Sequence, residues 1–454
     1  MLNIVILAAG KGTRMKSSLP KVLHPIAGRS LLKHVLDTAS ELESKEPLNV
    51  VIGHGAEQIE LALSAENVRF IQQTEQLGTG HAVQQALPHI QSDAVVLILY
   101  GDVPLIKKDT LEKLINLVSK DSLALLTLSL DEPSGYGRIE RNSNGDVIAI
   151  VEQKDANEAQ LKINEINTGV MAVYGEHLQR WLPMLSNSNA QGEYYLTDII
   201  ALAKEDNVSI NTEQPANEWE VLGVNNRIQQ AELERFYQQE LAEKLMADGL
   251  TLFDPTRFDC RGNLEVGQDV VIDINCVFEG DVKIGNNVSI AQNCSIKNAV
   301  IGDGCVIKAN TVIEDAELGI NCEAGPFARL RPGTKLANKA KIGNFVEIKK
   351  ATLGEGSKVN HLSYIGDAQL GEHVNVGAGT ITCNYDGVNK WITEIGDNAF
   401  IGSNSALVAP VKIGKSATVG AGSTINQEVP DDHLSVARGK QKNLSGWSRP
   451  TKKK

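Results

Sequence analysis

The sequence predicts two different folds in one chain: a mostly parallel, doubly wound α/β sheet, and a hexapeptide-repeat parallel β-helix joined to it by a long helix. Three observations predict this. Strand and helix patterns alternate in the first half, a helical pattern follows, and from about residue 264 an aliphatic side chain recurs every six positions. The 454 residues suffice for two or three domains. We place the boundaries at 1–227 for the α/β domain, 228–249 for the linker helix, 250–436 for the β-helix and 437–454 for a basic tail.

The first half alternates short apolar runs with helical patterns. Strands are predicted at 3–7, 49–53, 68–72 and 94–99, and helices at 30–42 and 81–86. Strands that alternate with helices form parallel sheets, and ligands bind where the carboxyl ends of such strands meet. We therefore expect functional residues directly after these strands.

A single long helix is predicted between the two halves, over residues 226–248. Leu233, Tyr237, Leu241 and Leu245 fall on one stripe, and Gly249 ends the pattern. A helix of about 23 residues would be about 35 Å long. We expect it to act as a rigid connection.

The second half repeats with a period of six residues. Neither the helix period of 3.6 nor the strand period of 2.0 gives this spacing, whereas three such segments form one triangular coil of a parallel β-helix. The aliphatic side chain points inward and stacks on its equivalent about 4.8 Å away. Residues 264–430 are expected to form roughly nine coils. The repeat positions are Val266, Ile272, Phe278, Ile284, Ile290, Ile296, Ile301, Ile307, Ile313, Ile342, Ile348, Leu353, Val359, Ile365, Leu370, Val376, Ile395, Ile401, Leu407, Ile413, Val419 and Ile425.

Two segments break this period. Residues 319–341 contain Pro326 and Pro332, and residues 380–393 read TITCNYDGVNKWIT. Insertions in solenoids form loops on one face, which is often the binding face. We expect both segments to be loops.

Composition and charge exclude several function classes. The formal net charge is −12, which argues against nucleic acid as the main partner. No apolar run approaches the ~18 residues that span a bilayer, and the N-terminus lacks the charge order of a secretory signal, so we expect a cytoplasmic protein without a membrane partner. The last 17 residues hold seven Lys and Arg and no acid, which makes the tail a local cationic patch.

Most of the six cysteines are predicted to be structural. No pair has C-x-x-C spacing, so a zinc site is not expected. Four of them lie four residues after a repeat aliphatic and are predicted to fill buried slots: Cys276, Cys294, Cys305 and Cys322. Cys383 differs because it falls in the second break.

A glycine-rich segment, LAAGKGTRM over residues 7–15, directly follows the first strand. Small residues let a backbone approach phosphates, and its N–H groups bind anions. Lys11, Arg14 and Lys21 add charge suited to a triphosphate. The alternative is a purely structural glycine turn.

Asp102 ends the apolar strand VVLILYGD. A carboxylate at this position is a candidate Mg²⁺ ligand, because Mg²⁺ at phosphates is held by one or two protein oxygens. The alternative is an aspartate that caps a turn.

Several of these motifs together resemble a known family. LAAGKGTRM, the P-K-V-L around Lys21, QLGTGHA and LYGDVPL resemble the sugar-phosphate nucleotidyltransferases, which have a Rossmann-like sheet. With the repeat half, which would be a left-handed β-helix, the whole chain resembles the bacterial bifunctional N-acetylglucosamine-1-phosphate uridyltransferases / glucosamine-1-phosphate N-acetyltransferases. The resemblance implies two-step synthesis of UDP-N-acetylglucosamine for cell-envelope polymers.

The resemblance also implies roles in the first half, residue by residue. It implies Mg²⁺ bound by Asp102 and Asn225, with UTP as co-substrate. The residues it implies for UTP and UDP-N-acetylglucosamine are Leu7, Ala8, Ala9, Gly10, Arg14, Lys21, Gln73, Gly78, Thr79, Tyr100, Gly101, Asp102, Gly137, Glu152, Asn167 and Asn225.

His361 is the candidate base of the second half. It lies two residues after a repeat aliphatic, and its ordinary pKa of about 6.5 suits the deprotonation of an amine. Arg331, Lys349 and Tyr364 could surround an anionic sugar phosphate. The alternative is a surface histidine among solvated charges.

For this half the resemblance implies acetyl transfer from acetyl-CoA, with His361 as base. It also implies a homotrimer formed through the β-helix, with the site shared between chains and reached by residues 380–393 or the tail. The residues implied around glucosamine-1-phosphate are Arg331, Lys349, Tyr364 and Asn375. Those implied for acetyl-CoA are Ala378, Ser403, Ala421 and Arg438, and the inserted Asn384 and Tyr385 belong at the same site.

Two other functions stay open at this point. One is a monofunctional sugar-1-phosphate nucleotidyltransferase whose β-helix is structural, and the other is a non-catalytic assembly subunit. His361, Asn384–Tyr385 and the basic tail speak against the first, and Gly10, Lys21, Asp102 and Asn225 against the second.

Overall fold

The computed structural model describes residues 1–452, so Lys453 and Lys454 of the predicted basic tail lie outside the described residues. The chain divides into two compact units, Met1–Tyr237 and Gln238–Lys454, here called unit 1 and unit 2. The division falls inside one continuous helix, Arg227–Ala247, close to the predicted 226–248. No helix within residues 1–452 is long and apolar enough to cross a bilayer.

Unit 1 is built on a nine-stranded sheet. The strands are β1 Leu2–Ala8, β2 Leu48–Ile52, β3 Val68–Gln72, β4 Val95–Tyr100, β5 Ser122–Ser129, β6 Gly137–Arg141, β7 Val147–Val151, β8 Glu165–Tyr174 and β9 Ser209–Glu213, with a small separate pair Pro25–Ile26 and Arg29–Ser30. The main order is β9-β5-β8-β4-β1-β2-β3, in which the central strands are parallel and β8 is antiparallel to both of its neighbours. Strand β6 pairs with β8 and β7. The predicted mostly parallel sheet is confirmed.

Helices cover the sheet of unit 1. Helix α1 begins after Ser30, whose side chain accepts a hydrogen bond from the Lys33 amide, as N-caps do. The α-helices are α1 Leu31–Ser40, α2 Ala56–Ala62, α3 Thr79–Ala86, α4 Lys108–Asn116, α5 Gly175–Trp181, α6 Ile199–Glu205 and α7 Arg227–Ala247. Short 3₁₀ turns lie at Thr13–Met15, Lys21–Leu23, Leu87–His89, Gln160–Lys162, Leu182–Met184, Leu196–Asp198, Glu218–Val221 and Pro255–Arg257.

The register of the central strands brings the predicted loops to one edge. Leu7 of β1 pairs with Tyr100 of β4, and the Gly101 amide donates to the Leu7 carbonyl at 2.9 Å. The Gln73 amide likewise donates to the Ile52 carbonyl at 2.7 Å. The residues that follow β1, β3 and β4 therefore meet at the carboxyl edge of the sheet, where ligands bind in α/β folds.

Unit 2 is a parallel β-helix with three-sided coils, because each typical coil adds one strand to a first sheet and two to a second sheet. The first sheet holds Thr251–Leu252, Val271–Ile272, Ser289–Ile290, Val306–Ile307, Glu323–Ala324, Lys341–Asn344, Lys358–His361, Asn375–Val376, Phe400–Ile401, Thr418–Val419 and Leu434–Ser435. The second holds Phe258–Val266, Cys276–Ile284, Ser295–Lys297, Val300–Ile301, Val312–Glu314, Ala316–Leu318, Arg329–Leu330, Thr334–Leu336, Glu347–Leu353, Tyr364–Leu370, Ile381–Cys383, Thr393–Ile395, Ala406–Val408, Val411–Ile413 and Thr424–Ile425.

The repeat aliphatics form the core of unit 2. Ile290, Ile307 and Ile342 are buried in one column of the first sheet, in register from coil to coil. The four cysteines predicted to be buried are buried, and no disulfide joins any of the six cysteines, all of which lie within residues 1–452. The first sheet has eleven strands, and nine of them lie within residues 264–430, which confirms the roughly nine coils predicted for that range; the other two are Thr251–Leu252 and Leu434–Ser435. Leu252 and Ile272 are paired although 20 residues separate them, and that spacing hides the first coil from a six-residue count.

The prediction of a loop at residues 319–341 was wrong. Ala324, Leu330 and Leu336 lie at six-residue steps between Leu318 and Ile342, and all five side chains are buried in the core. The chain continues through this segment as three strands of the β-helix. The six-residue period is hard to see in this segment, because the inward position 324 holds a small alanine and prolines lie near the inward positions.

The second predicted break is a true insertion, although a shorter one. The first sheet needs 25 residues to go from Asn375 to Phe400, where neighbouring coils need 17 or 18. Ile381–Cys383 still continues the coil, so Cys383 ends a strand. The insertion proper is residues 384–392, closed by a bridge between Tyr385 and Lys390.

Candidate active sites

Unit 1 has a cavity of about 430 Å³ at the carboxyl edge of its sheet. Ten of the residues predicted for the nucleotide line it: Leu7, Ala8, Ala9, Gly10, Lys21, Gln73, Gly78, Thr79, Tyr100 and Asp102. The cavity size is within the range of small-molecule sites. Lys11 also lines it, as do four residues to which the sequence analysis gave no role: Val22, Gln76, Ala82 and Glu193.

Glu193 reaches the cavity because its loop is fixed to the start of helix α3. The Tyr194 amide donates to the Leu77 carbonyl, and the Gly80 amide donates to the Tyr194 carbonyl, both at 2.8 Å. Gly78 has a φ of +114°, and a Cβ there would lie 2.6 Å from the Tyr194 oxygen. Because these contacts join residues more than 100 positions apart, no local pattern in the sequence indicates Glu193.

The glycine-rich loop positions Lys21. Gly12 has a φ of +58°, and a Cβ on it would lie 2.6 Å from the Lys21 Cβ. Glycine is therefore required by both backbone conformation and space. Gly10 is exposed, and a Cβ there would meet no atom within 4 Å, so its backbone is open to a ligand.

Lys21, Asp102 and Asn225 converge at the floor of this site. The Lys21 ammonium forms an ion pair with Asp102 and donates to Asn225 Oδ1 at 3.3 Å. Arg14 donates to the same Asn225 oxygen at 2.9 Å. The Val224 amide donates to the Asp102 carbonyl at 2.9 Å, which fixes Asn225 beside Asp102 despite 123 residues between them. Two cations thus share two oxygen ligands from distant parts of unit 1.

This donor set fits a small divalent cation. Asp102 and Asn225 supply hard carboxylate and amide oxygens, which Mg²⁺ prefers, and both oxygens already face a cationic group. Among residues 1–452 no three His, Cys, Asp or Glu side chains gather as a metal cage. Phosphate oxygens and water would therefore have to complete the coordination, which is usual for Mg²⁺ at nucleotides.

The remaining unit 1 residues lie beside Tyr100. The Tyr100 ring packs so closely on Gly169 that a Cβ there would lie 2.6 Å from it, and desolvation, followed by the charge of Glu152, raises the pKa of Tyr100 well above its usual value. Burial raises the pKa of Glu152, although the Thr197 hydroxyl is 3.3 Å from its carboxylate.

Gly137 and Asn167 are paired across β6 and β8. A Cβ on Gly137 would lie 3.4 Å from the Glu152 carboxylate, so the backbone of Gly137 lies directly beside this carboxylate. Gly101 is buried against Leu32 and does not line the cavity.

His361 is exposed at the end of the strand Lys358–His361 in unit 2. It pairs in register with Asn344 of the adjacent coil, and its Nδ1 lies 2.7 Å from Asn344 Oδ1. The sequence analysis missed Asn344. The signal was available, since Asn344 stands one 17-residue coil before His361.

Arg331 and Lys349 stack in the same position of adjacent coils. The Arg331 amide donates to the Ile348 carbonyl, and Lys349 pairs with Gly366 one coil further on. A Cβ on Gly366 would overlap the Tyr364 phenol, so glycine leaves room for that ring. Arg331, Lys349 and Tyr364 thus lie in or next to the strands that come after the corner at which His361 lies. Arg331 is also paired with Glu347 at 2.6 Å.

The insertion adds a cation to this group. Asn384 is buried and donates to Asp367, and the Trp391 amide donates to the Asn384 carbonyl at 2.9 Å. These contacts bring Lys390 beside Lys349, whose charge lowers the pKa of Lys390. The sequence analysis missed Lys390. Two adjacent ammonium groups indicate a site for an anion.

The residues predicted for acetyl-CoA form a column that continues from His361. The Gly379 amide donates to the His361 carbonyl, the Asn404 amide to Ala378 and the Gly422 amide to Ser403. Arg438 then donates to the Ala421 carbonyl at 2.5 Å. The four hydrogen bonds place His361, Ala378, Ser403, Ala421 and Arg438 on five successive coils. Asn375 lies apart, in the first sheet between Lys358 and Phe400, and Tyr385 is exposed on the insertion.

These sites define the class of the protein: a nucleotidyltransferase fold joined to a hexapeptide-repeat transferase fold. Family models match accordingly. Residues 4–186 match a MobA-like NTP transferase domain, residues 260–338 match a GMPPB C-terminal domain, and residues 392–427 match the bacterial transferase hexapeptide.

Full-length relatives are more specific. The chain is 64% identical to the bifunctional protein GlmU of Cellvibrio japonicus and 63% identical to that of Saccharophagus degradans, covering 100% of each chain. It is 61% identical to the bifunctional protein GlmU of Marinobacter nauticus over 99% of both chains. The chain belongs to this family, the bifunctional N-acetylglucosamine-1-phosphate uridyltransferases / glucosamine-1-phosphate N-acetyltransferases.

Proposed function

We propose that the cavity of unit 1 is the uridyltransferase site and that the corner around His361 is the acetyltransferase site. One observation carries this division: Lys21 and Asp102 line the cavity of unit 1 as an ion pair, whereas the exposed histidine with a fixed partner lies in unit 2. Each set suits one of the family's two reactions.

In unit 1 the reaction would be in-line transfer of a uridylyl group. A phosphate oxygen of N-acetylglucosamine-1-phosphate attacks the α-phosphorus of UTP, a new P–O bond forms, and the bond to pyrophosphate breaks. Gln73, Gly78 and Thr79 would hold the uracil, and Arg14 and Lys21 the phosphates. No side chain needs to form a covalent intermediate, so positioning and charge neutralisation supply the catalysis.

Asp102 and Asn225 would hold Mg²⁺ in this site. When bound, the ion would neutralise phosphate charge in addition to that neutralised by Lys21. The sugar would lie toward Tyr100, Gly137, Glu152 and Asn167. Glu152 is half-desolvated there, which strengthens its hydrogen bonds to sugar hydroxyls.

In unit 2 the reaction would be acyl transfer. His361 takes a proton from the amine of glucosamine-1-phosphate as the nitrogen attacks the thioester carbonyl of acetyl-CoA, a C–N bond forms, and the CoA thiolate leaves. Arg331, Lys349 and Lys390 would hold the sugar phosphate. Tyr364 and Asn375 would contact the sugar.

Acetyl-CoA would follow the column that starts at His361. At ~4.8 Å per coil, the four steps from His361 to Arg438 span about 19 Å. The thioester would lie near Ala378, with the inserted Asn384 and Tyr385 beside it. The phosphates would lie toward Ser403, Ala421 and Arg438, where the basic tail begins.

We propose a homotrimer in which unit 2 presents an apolar corner to a neighbouring chain. Phe327, Phe345 and Leu362 occupy this corner on successive coils, all with positive φ and all half exposed or more. The Phe327 and Phe345 rings stack with centroids 5.3 Å apart. Bulky residues in the left-handed region are costly and are found where function requires them. A second copy would bury this ladder beside His361.

We also propose a cytoplasmic location, which is supported by six cysteines that form no disulfide within the described residues. The functional boundaries would be those predicted: 1–227 for uridyl transfer, 228–249 for the linker, 250–436 for acetyl transfer and 437–454 for the tail.

The deciding experiment follows both products with the purified full chain. Free CoA thiol should appear from acetyl-CoA only when glucosamine-1-phosphate is added. Pyrophosphate should appear from UTP and N-acetylglucosamine-1-phosphate, and it should stop with excess chelator and in Asp102→Ala, while CoA release continues in both cases. Pyrophosphate without any sugar-dependent CoA release would make the β-helix a structural module.

A further inference from the structure

We infer that Asn344 is a positioning residue that sets the tautomer of His361 and leaves Nε2 as the atom that accepts the proton. The inference deepens the proposed acetyl transfer and rests on it. It starts from one contact, the 2.7 Å separation of His361 Nδ1 and Asn344 Oδ1.

The fold fixes this contact. His361 and Asn344 are register partners on adjacent coils, and the Leu362 amide donates to the Asn344 carbonyl at 3.1 Å directly after the pair. Before the pair, Gly343 is so close to the Asn360 backbone that any Cβ there would overlap it. The two strands are therefore pressed together on both sides of the histidine, which limits how far either side chain can move away.

The chemistry of the contact has one direction. An amide oxygen can only accept a hydrogen bond, so Nδ1 must carry the hydrogen. A neutral imidazole has one N–H, hence its other nitrogen, Nε2, holds the lone pair. Without Asn344 the ring would divide its population between the two tautomers and rotate, and a share of it would present N–H to the amine instead of a lone pair.

An amide suits this role better than a carboxylate would. A carboxylate at Nδ1 would favour the imidazolium and raise the pKa of the base, so that more of it would be protonated at neutral pH. Asn344 orients the ring without adding a charge.

The other charged groups near His361 either form ion pairs with other residues or lie at other positions of the coil. On the coil of Asn344, Lys341 is bound to Glu323 at 2.5 Å. On the next coil, Asn375 is in register with Lys358 and Ala378 lies beside His361, and both are neutral. On the second sheet, Arg331 is paired with Glu347, and Lys349 lies beside Lys390. Lys358 begins the strand of His361, three residues away.

The test compares Asn344→Leu and Asn344→Asp with the matched substitutions Asn360→Leu and Asn360→Asp, one residue before His361. Asn344→Leu should lower kcat for acetyl transfer about tenfold or more, with KM for glucosamine-1-phosphate changed less than about threefold, because a base is misoriented and binding is not. Asn344→Asp should recover most of kcat at high pH, and it should move the acidic limb of the kcat/KM profile to higher pH by about half a pH unit or more. Both Asn360 variants should resemble the parent enzyme.

Other outcomes overturn the inference. These are a parent-like kcat in Asn344→Leu, a loss expressed mainly in KM, an acidic limb that stays in place in Asn344→Asp, and an equal displacement in Asn360→Asp. Denaturant unfolding of the same samples checks that unit 2 of each variant is folded, and pyrophosphate release checks unit 1. His361→Ala separates the two levels: if it still transfers acetyl groups, the proposed function fails, whereas an inactive His361→Ala beside parent-like Asn344 variants defeats only the positioning role.

Discussion

The two sites of this chain use their charged side chains in opposite ways. In unit 1, Lys21, Arg14, Asp102 and Asn225 contact one another, and none is arranged to pass a proton to a substrate. In unit 2, the His361 imidazole is hydrogen-bonded to a neutral group, Asn344, and Lys349 lies beside Lys390 on neighbouring segments. The first arrangement suits a reaction in which phosphate charge moves, and the second suits one in which a proton leaves an amine.

The scaffolds differ in the same sense. The unit 1 site collects residues more than 200 positions apart at the edge of one sheet, so it depends on the whole unit. The unit 2 site collects residues one coil apart, each held by the repeat. A local change should therefore affect one activity and spare the other, and three predictions test this separation.

The largest effect is expected for His361→Ala. Removal of a general base lowers rates by about 10²–10⁴, and we expect acetyl transfer to fall about 10³-fold while uridyl transfer is unchanged. The measurement is CoA thiol release and pyrophosphate release from one sample. His433→Ala, another exposed histidine of unit 2, is the control and should keep both activities. A fall in both activities of His361→Ala would mean that the two sites are not separable.

A smaller effect is expected for Gly12→Ala. The new Cβ would enter the left-handed region and lie 2.6 Å from the Lys21 Cβ, so it should displace Lys21 and lower uridyl transfer about 10- to 100-fold, leaving acetyl transfer intact. Gly145→Ala is a matched control, because Gly145 also has a positive φ, +88°, but has open space around it. If both variants lose the same activity, backbone strain alone explains the result, and the contact with Lys21 does not matter.

The smallest effect is expected for Glu323→Gln, which tests whether an ion pair of unit 2 is only structural. Lys341 and Lys308 on neighbouring coils lower the pKa of Glu323 below its ordinary 4.5. A lowered pKa adds stability above the unfolded-state pKa, and this is lost as the pH falls through the folded value. Glu323→Gln should lower the free energy of unfolding by about 0.5–1 kcal/mol at pH 7, after allowance for solvent screening.

Denaturant unfolding of the parent and of Glu323→Gln at pH 7 and below pH 4 measures this difference. The two curves should approach each other at low pH, because a protonated Glu323 resembles glutamine. Glu265→Gln removes one partner of a more exposed pair with Lys283 and should cost less. A loss of acetyl transfer in Glu323→Gln would instead place this ion pair in the catalytic machinery.

The fold was predictable wherever its signal is periodic or local. Alternating strands and helices predicted the parallel sheet, and the aliphatic period predicted the β-helix. The prediction failed at residues 319–341, because Ala324 fills an inward slot that the period assigns to a larger aliphatic, and Pro326 and Pro332 suggest a loop. Which residue fits such an inward position depends on packing against the neighbouring coils. A single sequence does not show that packing.

The candidate sites divide in the same way. Gly10, Lys21 and Asp102 follow strands at one edge, so a local pattern could indicate them. Glu193 enters the cavity only through hydrogen bonds with residues far away in the chain. Lys390 was missed because residue types alone do not show what lies beside an insertion, whereas Asn344 was missed although the coil length places it one coil before His361.

The column from His361 to Arg438 has one more consequence. Its residues lie on separate coils, and each coil adds the same rise of ~4.8 Å. The distance from His361 to Arg438 can therefore change only in whole steps, when a complete coil is gained or lost. Gain or loss of a coil would thus lengthen or shorten this column. Evolution could in this way fit unit 2 to a longer or shorter acyl donor without changing the residues around His361.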